Sequence, residues 1–291
     1  MKVIYILGDG RSGSTLLDAV LSNTENSISI GEGYRFWRRF YEADTLCSCN
    51  EPIDACVLWS GVHAELQKEI PNYNPADTWD RIQFLLKFKN VKRISEIIKG
   101  EDWQHFNATV KHFYNSIVEI SAKNIIIDSS KSVGWLYLLH ALNIQELKVI
   151  HLERNLQAVA NSWKKQITLP EYFDKEVFMP TRSTMRSLKT WLKVKFLAKS
   201  IKKKTDSIFL TYENFIKNPE RTFITIETFA SVSLPTNHLK YMVGHSIGGN
   251  PMRSKGSGTI TIQKNKEKFT NLNLIERYIL TVINWLSKQI L

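Results

Sequence analysis

Residues 3–17 read VIYILGDGRSGSTLL, and this segment constrains the possible folds more than any other part of the chain. Val3–Leu7 is a short apolar run, which is typical of a strand buried in a parallel sheet. The run ends at a glycine-rich turn, and the apolar pattern then predicts a helix that begins near Leu16. Because unpaired backbone N–H groups and the positive end of the helix dipole meet at such a junction, the segment predicts an anion-binding loop.

The spacing from Gly8 to Gly13, followed by Ser14 and Thr15, is that of a nucleotide-binding P-loop with one change. Ser14 takes the place of the lysine that normally contacts the β- and γ-phosphates of a nucleoside triphosphate. The basic side chain has moved back to Arg11, inside the loop. The loop therefore favours a phosphate ligand other than the triphosphate end of ATP, and an ordinary glycine-rich turn is the alternative.

Composition places the chain among globular proteins. Of its 291 residues, 43% are hydrophobic and 23% are charged, and these values do not indicate disorder. The length suits one large α/β domain or two small ones. No apolar run approaches the roughly 20 residues that span a bilayer. The sequence starts inside its first predicted strand and leaves no room for a signal peptide, so we expect a cytoplasmic protein without a membrane partner.

The formal net charge of +11 raises the question of nucleic-acid binding. The basic residues are scattered, however, and their densest runs are Lys202–Lys204 and Lys264–Lys268. The sequence contains no helix-turn-helix, zinc-finger or aromatic RNA-binding motif. The scatter of the basic residues and the lack of such motifs therefore argue against a nucleic-acid partner. They favour a basic surface that attracts a polyanionic small molecule.

Short apolar strands alternate with helical patterns along the chain. This alternation predicts an α/β fold of P-loop-like, three-layer type, in which a mostly parallel central sheet has helices on both faces. The predicted strands are Val3–Leu7, Ile28–Ile30, Ile125–Ile127, Leu147–Leu152 and Ser207–Leu210. The predicted helices lie near Thr15–Ser22, Tyr34–Tyr41, Trp79–Lys99, Trp103–Ala122, Gly134–Leu142, Gln157–Lys165, Thr184–Lys203, Pro219–Phe229 and Leu274–Lys288.

We expect one domain over residues 1–291, with a helical insertion at about residues 57–122. Two segments, about residues 167–182 and 244–268, lack regular periodicity. Long irregular segments in a compact domain are usually lids or binding loops. Both segments are therefore candidate lids over a ligand.

Three cysteines, Cys47, Cys49 and Cys56, lie within ten residues. Their odd number and the expected cytoplasmic setting argue against a disulfide framework. A zinc site with His63 as the fourth ligand is conceivable, but the spacing CxC-x6-C-x6-H is not a standard zinc motif. The sequence therefore favours a compact turn with small, buried thiols, and we expect no bound metal.

A second candidate phosphate motif lies in the segment LKVIHLERNLQAVANSW, residues 147–163. Its predicted strand ends at Leu152, which places Arg154 at the carboxyl edge of the sheet. Ser162 follows Arg154 by eight residues, about two turns along a helix that starts at Asn155. A guanidinium and a hydroxyl at this spacing can share one phosphate group, although an arginine after a strand is more often part of a surface ion pair.

Together the two motifs resemble those of sulfotransferases that use 3′-phosphoadenosine 5′-phosphosulfate (PAPS), in particular bacterial members acting on carbohydrates or small molecules. The resemblance implies that the loop binds the 5′-phosphosulfate of PAPS, and that Arg154 and Ser162 bind its 3′-phosphate. The product nucleotide would be 3′,5′-ADP. The implied loop residues are Arg11, Ser12, Gly13, Ser14 and Thr15.

The resemblance extends along nearly the whole chain. The segment FLTYENF is similar to the family's strand–YEDL–helix segment, which implies that Tyr212 lies beside the adenine. The run GGNPMRSKG occupies the place of a loop that caps the 3′-phosphate, and this implies roles for Arg253, Lys255 and Gly256. Asn155 replaces the family's aspartate after the 3′-phosphate arginine, which should affect helix capping more than phosphate binding.

Sulfuryl transfer requires a base for the acceptor and neutralisation of the charge on the departing phosphate. Glu32 falls 21 residues after Arg11, about where family members with a glutamate base carry it, so we expect Glu32 to be the base. Its alternative role is that of a carboxylate at a helix N-terminus, and Asp128 is the next candidate base. Arg11 and Lys131 are the candidates for neutralising the leaving group, and no metal is required.

The resemblance implies sulfuryl transfer from PAPS to a hydroxyl or amine of a small soluble acceptor, a natural product or a sugar. Two alternatives stay open. The first is a P-loop kinase of small molecules, which would depend on magnesium and ATP. The second is a non-catalytic protein that binds nucleotides or nucleic acid. The sequence does not indicate an oligomeric state.

Overall fold

The computed structural model describes residues 1–42, 45–169, 172, 176–235, 239–241, 244–249, 258–262 and 268–290. Its strands are β1 Lys2–Leu7, β2 Ser27–Gly31, β3 Ile125–Lys131, β4 Leu147–Glu153, β5 Thr168–Leu169, β6 Val177–Phe178 and β7 Asp206–Thr211. Its α-helices are α1 Ser14–Leu21, α2 Phe36–Glu42, α3 Val57–Glu69, α4 Pro75–Leu85, α5 Phe88–Val91, α6 Ile94–Ile97, α7 Gln104–Ser121, α8 Val133–Ala141, α9 Leu156–Trp163, α10 Thr184–Lys202, α11 Tyr212–Lys217, α12 Pro219–Ala230 and α13 Leu274–Ile290.

A five-stranded parallel sheet in the order β2-β3-β1-β4-β7 forms the centre of the molecule. This sheet confirms the predicted mostly parallel α/β fold, and each predicted strand lies within an observed one. β1 is the middle strand, because it pairs with β3 on one side and with β4 on the other. Its carboxyl end therefore opens between two other strand ends, which is where parallel sheets bind their ligands.

Successive residues of β1 point to opposite faces of the sheet, and helices cover both faces. Val3 and Tyr5 belong to an apolar cluster with residues of α2, α3, α4, α7 and α8. Ile4 and Ile6 belong to a second cluster with residues of α1, α11 and α12. All four side chains are fully buried, and burial of an aliphatic side chain contributes about 1.5–3 kcal/mol. The alternation thus holds the sheet between two helical layers, as predicted.

The last helix, α13, packs against α9 and α10 through Leu280, which is fully buried. Another face of α13 carries Ile275, Ile279, Val282 and Leu286, and all four side chains are exposed. The described part of the chain includes no helix with both the length and the apolar content needed to cross a membrane.

The single helix predicted over Trp79–Lys99 is wrong, because the structure divides this segment into α4, α5 and α6. The chain leaves α4 at Leu86, and Lys87 has an extended backbone. The Asn90 side-chain amide donates to the carbonyl of Phe84 at 2.8 Å. This bond satisfies a carbonyl at the end of α4 that the next helical turn would otherwise have paired.

The candidate lid at residues 167–182 is not wholly irregular. It contains the antiparallel pair β5 and β6, in which Thr168 lies opposite Phe178 and Leu169 lies opposite Val177. Strands of two residues are too short to show an alternating apolar pattern, so the sequence could not reveal them.

Candidate active site

The turn between β1 and α1 forms a tight loop. Arg11 and Gly13 have φ angles of +71° and +92°. These angles lie in the left-handed region, where the steric cost is lower for glycine than for other residues. Gly13 lies against the ring of Tyr212, and this ring would overlap a Cβ atom at position 13. The carbonyl of Gly13 accepts the N–H of Leu17 at 3.2 Å. α1 therefore begins directly after Gly13, and its first N–H groups are available to an anion in the loop.

The other strands of the main sheet each contribute a site residue at their carboxyl ends. Glu32 follows β2, Lys131 ends β3, Arg154 follows β4 and Tyr212 follows β7. With the loop after β1, these residues line a cavity of about 430 Å³. The predicted site residues in its lining are Arg11, Gly13, Ser14, Thr15, Glu32, Lys131, Arg154, Ser162 and Tyr212.

Ser12 is the predicted loop residue whose side chain does not line this cavity. Its side chain is buried next to Gly8, and its N–H donates to the carbonyl of Asp9 at 3.3 Å within the turn. The predicted ligand role of Ser12 stays a prediction. The other three predicted cofactor residues, Arg253, Lys255 and Gly256, lie outside the described residues.

The lining of the cavity is electropositive. Two carboxylates, those of Asp9 and Glu32, face six cationic side chains. Low-dielectric walls with one predominant sign of charge concentrate ligands of the opposite charge, so the cavity suits a polyanion. The six cationic residues are Arg11, Arg35, Lys131, Arg154, Arg182 and Lys193.

Arg11 lies inside the loop with its guanidinium 5.0 Å from the centre of the Trp163 ring. Burial, and after it the charge of Arg182, lower the pKa of Arg11. Its Nε and Nη2 atoms are buried and have no hydrogen-bond partner within the described part of the chain. Because buried polar groups normally have partners, these two donors indicate a place for an anionic oxygen ligand.

Arg154 connects three elements of the site. Its Nη1 donates to the carbonyl of Arg11 at 3.2 Å, and its guanidinium lies 4.4 Å from the centre of the Tyr212 ring. Ser162 follows on α9 and lines the same cavity, as the spacing predicts. Asn155 caps α9 by accepting the N–H of Gln157 at 2.8 Å, so this departure from the family pattern acts in helix capping.

Glu32 lies between two cations. Its Oε1 is 2.7 Å from Nζ of Lys131, and its Oε2 is 2.5 Å from Nε of Arg35. The charge of Glu32 raises the pKa of Arg35. The backbone N–H of Glu32 donates to the carbonyl of Ile247 at 2.7 Å, so the late segment of the chain helps to fix this residue. The sequence analysis missed Arg35, which lies in a 3₁₀ turn too short for a periodic pattern.

Asp128, the next candidate base, is fully buried and does not line the cavity. It accepts hydrogen bonds from the hydroxyl of Tyr114 at 2.6 Å and from the N–H of Ser130 at 2.8 Å. Burial raises its pKa to about 6. These contacts join β3 to α7, and of the two candidate bases Glu32 alone faces the cavity.

Arg182 is a second cavity residue that the sequence analysis missed. Its guanidinium lies 3.5 Å from the centre of the Trp163 ring, on which Arg11 also packs. Burial raises the pKa of Asp9 to about 6, while the charge of Arg182 acts in the opposite direction. The segment 167–182 was a candidate lid, and Arg182 is its only arginine, which is the signal that could have singled it out.

The three cysteines converge on a histidine that the sequence analysis did not consider. The Sγ atoms of Cys47, Cys49 and Cys56 and a ring nitrogen of His245 all lie within 4.8 Å of one another. His63, the fourth ligand considered from the sequence, instead stacks on Phe40 with 3.9 Å between the ring centres. Because His245 is 189 residues beyond Cys56, no local spacing could have revealed the cluster.

Comparison with known proteins assigns the family. The profile of the sulfotransferase family matches residues 4–236. The chain belongs to the sulfotransferase family. A search of curated proteins finds no significant match.

Two solved sulfotransferase domains are similar in structure to this chain. The sulfotransferase domain of the olefin synthase from Synechococcus PCC 7002 is 16% identical, with a TM-score of 0.45, over 81% of this chain and 74% of that chain. The sulfotransferase domain from the curacin biosynthetic pathway is 15% identical, with a TM-score of 0.49, over 97% of both chains. The family match spans the loop between β1 and α1 and all four strand-end residues of this chain, and it ends before His245 and α13.

Proposed function

We propose that this sulfotransferase moves a sulfuryl group from PAPS to a hydroxyl or amine of a small acceptor, a natural product or a sugar. The observation that carries the proposal is the guanidinium of Arg11, whose Nε and Nη2 atoms are buried and have no partner in the described part of the chain. Such donors call for an anionic ligand. Ser14 replaces the P-loop lysine, which disfavours a nucleoside triphosphate as that ligand.

The residues around the loop fit a nucleotide that is anionic at two positions. Arg11 and the first N–H groups of α1 would bind the 5′-phosphosulfate, and Arg154 with Ser162 would bind the 3′-phosphate. The ring of Tyr212 offers a flat surface for the adenine. PAPS, when bound, supplies the sulfuryl group and the leaving nucleotide 3′,5′-ADP. The electropositive lining supports binding of such a polyanion.

Glu32 would take the proton of the acceptor. It follows β2 directly, lines the cavity and is a carboxylate, so it can accept a proton from a hydroxyl or an ammonium group. Lys131 and Arg35 each contact one of its oxygens, and these contacts hold the carboxylate in one orientation. Fixed orientation lowers the entropy that must be lost when acceptor and base meet.

Lys131 and Arg11 would neutralise the negative charge that develops on the leaving phosphate. Lys131 has a φ angle of +63° at the end of β3 and lines the cavity close to the loop. Arg11 stays protonated at physiological pH and presents a planar fork of donors to phosphate and sulfate oxygens. Positive groups fixed before the reaction stabilise developing charge without the cost of reorganising solvent.

Apolar side chains form part of the cavity wall and support a small acceptor with an apolar portion. They come from the helical insertion, from α8, from the segment before Arg182 and from α10. Ligand sites commonly combine such walls with a few polar groups that fix orientation. The apolar residues from these segments are Leu86, Val91, Val133, Met179, Val194 and Leu197, and α1 adds Leu16.

A transfer assay tests the proposal. The chain is incubated without added magnesium, with PAPS labelled in its sulfuryl group and with a panel of small hydroxyl and amine acceptors. We expect acceptor-dependent release of 3′,5′-ADP and a product that carries the label. Arg11→Ala should abolish both signals, whereas Arg38→Ala, at a partly exposed ion pair on α2, should retain them. Transfer that instead requires magnesium and ATP, with a phosphorylated product, would contradict the proposal.

A further inference from the structure

We propose that Cys47, Cys49, Cys56 and His245 form a structural zinc site. The proposal is independent of sulfuryl transfer, and it reverses the expectation from the sequence that the cysteine segment binds no metal. That expectation depended on the lack of a fourth ligand at a standard spacing. The structure supplies a fourth ligand from residue 245, beyond the part of the chain that the family profile matches.

Three distances within the cluster lie within about 0.5 Å of those expected for a tetrahedral site. Bond lengths of about 2.3 Å for Zn–S and about 2.0–2.1 Å for Zn–N place two sulfur ligands about 3.8 Å apart, and a sulfur and a nitrogen about 3.6 Å apart. The Sγ atoms of Cys49 and Cys56 are 3.7 Å apart. Nδ1 of His245 lies 3.1 Å from Sγ of Cys56 and 3.9 Å from Sγ of Cys47.

The chemistry of the four side chains favours a bound zinc ion over a disulfide between the cysteines. Three thiols and one imidazole form a common set of ligands for structural zinc. The separation of 3.7 Å between Cys49 and Cys56 exceeds the bonded S–S length of about 2.05 Å, so these sulfurs are not joined. With four protein ligands the coordination shell is complete, which leaves no position for water and indicates a structural rather than a catalytic metal.

The backbone around the cluster is held in place by bonds that do not involve the four ligand atoms. Ser48 Oγ donates to the carbonyl of Gly244 at 2.8 Å and accepts the N–H of Ser246 at 2.8 Å. Trp59 Nε1 donates to the carbonyl of His245 at 2.7 Å. Partners of this kind orient metal ligands before the metal binds. The turn that carries two of the cysteines is thus already docked on the segment that carries the histidine.

The site has a structural consequence for the cavity. Ile247, two residues after His245, donates to the carbonyl of Ile30 at 3.0 Å and accepts the N–H of Glu32 at 2.7 Å. A metal at the cluster would therefore fix the late segment of the chain to the end of β2. Glu32, the proposed base, directly follows β2. Zinc would therefore help to hold Glu32 in position without taking part in the reaction.

Elemental analysis of the full chain, purified without chelators, tests the proposal. We expect one zinc per chain. Replacement of the metal by Co²⁺ should give the intense visible absorption and the thiolate-to-cobalt charge-transfer band of a tetrahedral site. A folded chain without metal, a chain that contains iron, or a disulfide between any two of the three cysteines would overturn the proposal.

Variants at the two histidines separate the zinc site from general folding. His245→Ala should lose zinc, whereas His63→Ala, at the histidine that the sequence pointed to, should keep one zinc per chain. His245→Cys should also keep zinc, because four thiolates form an equally common structural set. The nitrogen that faces the thiols is Nδ1, the ring nitrogen nearer to the backbone, so the shorter cysteine side chain can take its place. Full zinc in a folded His245→Ala protein, or its loss in His63→Ala, would show that His245 is not the ligand.

Discussion

At the scale of single residues, Arg11 and Arg154 contribute to the site in different ways. Arg11 is a ligand candidate because two of its donors are buried without partners in the described part of the chain. Arg154 also supports the loop, since it donates to the carbonyl of Arg11 at 3.2 Å. Loss of Arg154 should therefore affect binding and loop geometry together, and Ser162 gives the cleaner test of the 3′-phosphate.

Ser162→Ala should weaken binding of 3′,5′-ADP and leave binding of 5′-AMP nearly unchanged. Loss of a hydrogen bond to a charged group costs about 1.5–3 kcal/mol, which corresponds to about 10- to 100-fold in Kd. Arg154→Ala should weaken the binding of 3′,5′-ADP by at least the same factor. Calorimetric titration of both nucleotides measures the difference. Equal losses for the two nucleotides would place these residues at the other phosphate.

Glu32→Gln keeps the shape of the proposed base and removes its ability to accept a proton. We expect kcat to fall about 10²- to 10⁴-fold while the Kd for 3′,5′-ADP stays near the wild-type value. Glu42→Gln, at another ion-paired glutamate on the surface of α2, is the matched control and should keep full activity. Near wild-type turnover by Glu32→Gln would mean that the base lies elsewhere.

Asp9→Asn should change how stability depends on pH. Burial raises the pKa of Asp9 from 3.8 to about 6 in the folded chain. Between pH 3.8 and about pH 6, Asp9 is ionised in the unfolded chain but not in the folded chain. The free energy of unfolding of the wild type therefore falls as the pH rises. Asparagine cannot ionise, and its oxygen can still accept the N–H of Gly10, as Asp9 does at 2.8 Å.

The free energy of unfolding of Asp9→Asn, relative to wild type, should therefore rise between about pH 4 and pH 6 and then stay constant. The rise should reach about 3 kcal/mol, from 1.36 kcal/mol for each pKa unit. Urea unfolding across this pH range measures it, with Asp102→Asn at an exposed aspartate as the control. A difference that does not vary with pH would contradict the burial of an ionisable Asp9.

Sequence reasoning pointed to the cavity-lining residues at strand ends, and it missed the cavity residues Arg35 and Arg182. Glu32, Lys131 and Arg154 were predictable because a strand end and a charged residue occur together in the sequence. Arg35 and Arg182 reach the cavity from a 3₁₀ turn and from the segment after β6, where position depends on tertiary packing. His245 was unpredictable for the same reason, since its neighbours in space are almost 200 residues away.

At the scale of elements, the loop between β1 and α1 depends on close packing by its neighbours. Trp163 of α9 donates from Nε1 to the carbonyl of Gly10 at 3.2 Å, and Tyr212 at the start of α11 covers Gly13. Two helices that follow other strands therefore hold the loop, and its shape depends on the whole sheet edge. Contact with Trp163 requires a glycine at position 10, and contact with Tyr212 together with the backbone angle requires one at position 13.

Gly13→Ala should distort the loop. An alanine in the left-handed region costs about 1–2 kcal/mol, and its Cβ would also overlap the Tyr212 ring. We expect a lower free energy of unfolding by at least this amount and at least tenfold weaker binding of 3′,5′-ADP. Gly100→Ala is the control, because its Cβ would meet Trp103 Cδ1 at an ordinary 3.5 Å. Wild-type affinity in Gly13→Ala would contradict the proposed role of the loop.

The elements that the sequence predicted well are the long or strongly apolar ones. All five strands of the main sheet were predicted because buried parallel strands are continuous apolar runs. The segment after Trp79 was predicted as one helix because apolar periodicity continues through the breaks at Leu86 and Lys92. The side chain of Asn90 bonds to the end of α4 at the first of these breaks, and periodicity carries no information on such contacts.

At the scale of the whole molecule, the net charge of +11 has a local counterpart. Six of the cationic side chains line one cavity at the carboxyl edge of the sheet, and they come from segments spread over most of the chain. The fold therefore concentrates charge that looks scattered along the sequence. This concentration supports a small polyanion as the ligand and explains the lack of a linear basic motif for nucleic acid.

The most direct test of the central proposal is a calorimetric comparison of nucleotides on the full chain without added magnesium. The account predicts that 3′,5′-ADP binds at least tenfold more tightly than its isomer 2′,5′-ADP and than 5′-AMP, because Arg154 and Ser162 would bind a phosphate at the 3′ position. Adding magnesium should not make ATP the preferred ligand. Equal affinity for the three nucleotides, or tightest binding of magnesium–ATP, would contradict a PAPS-dependent sulfotransferase.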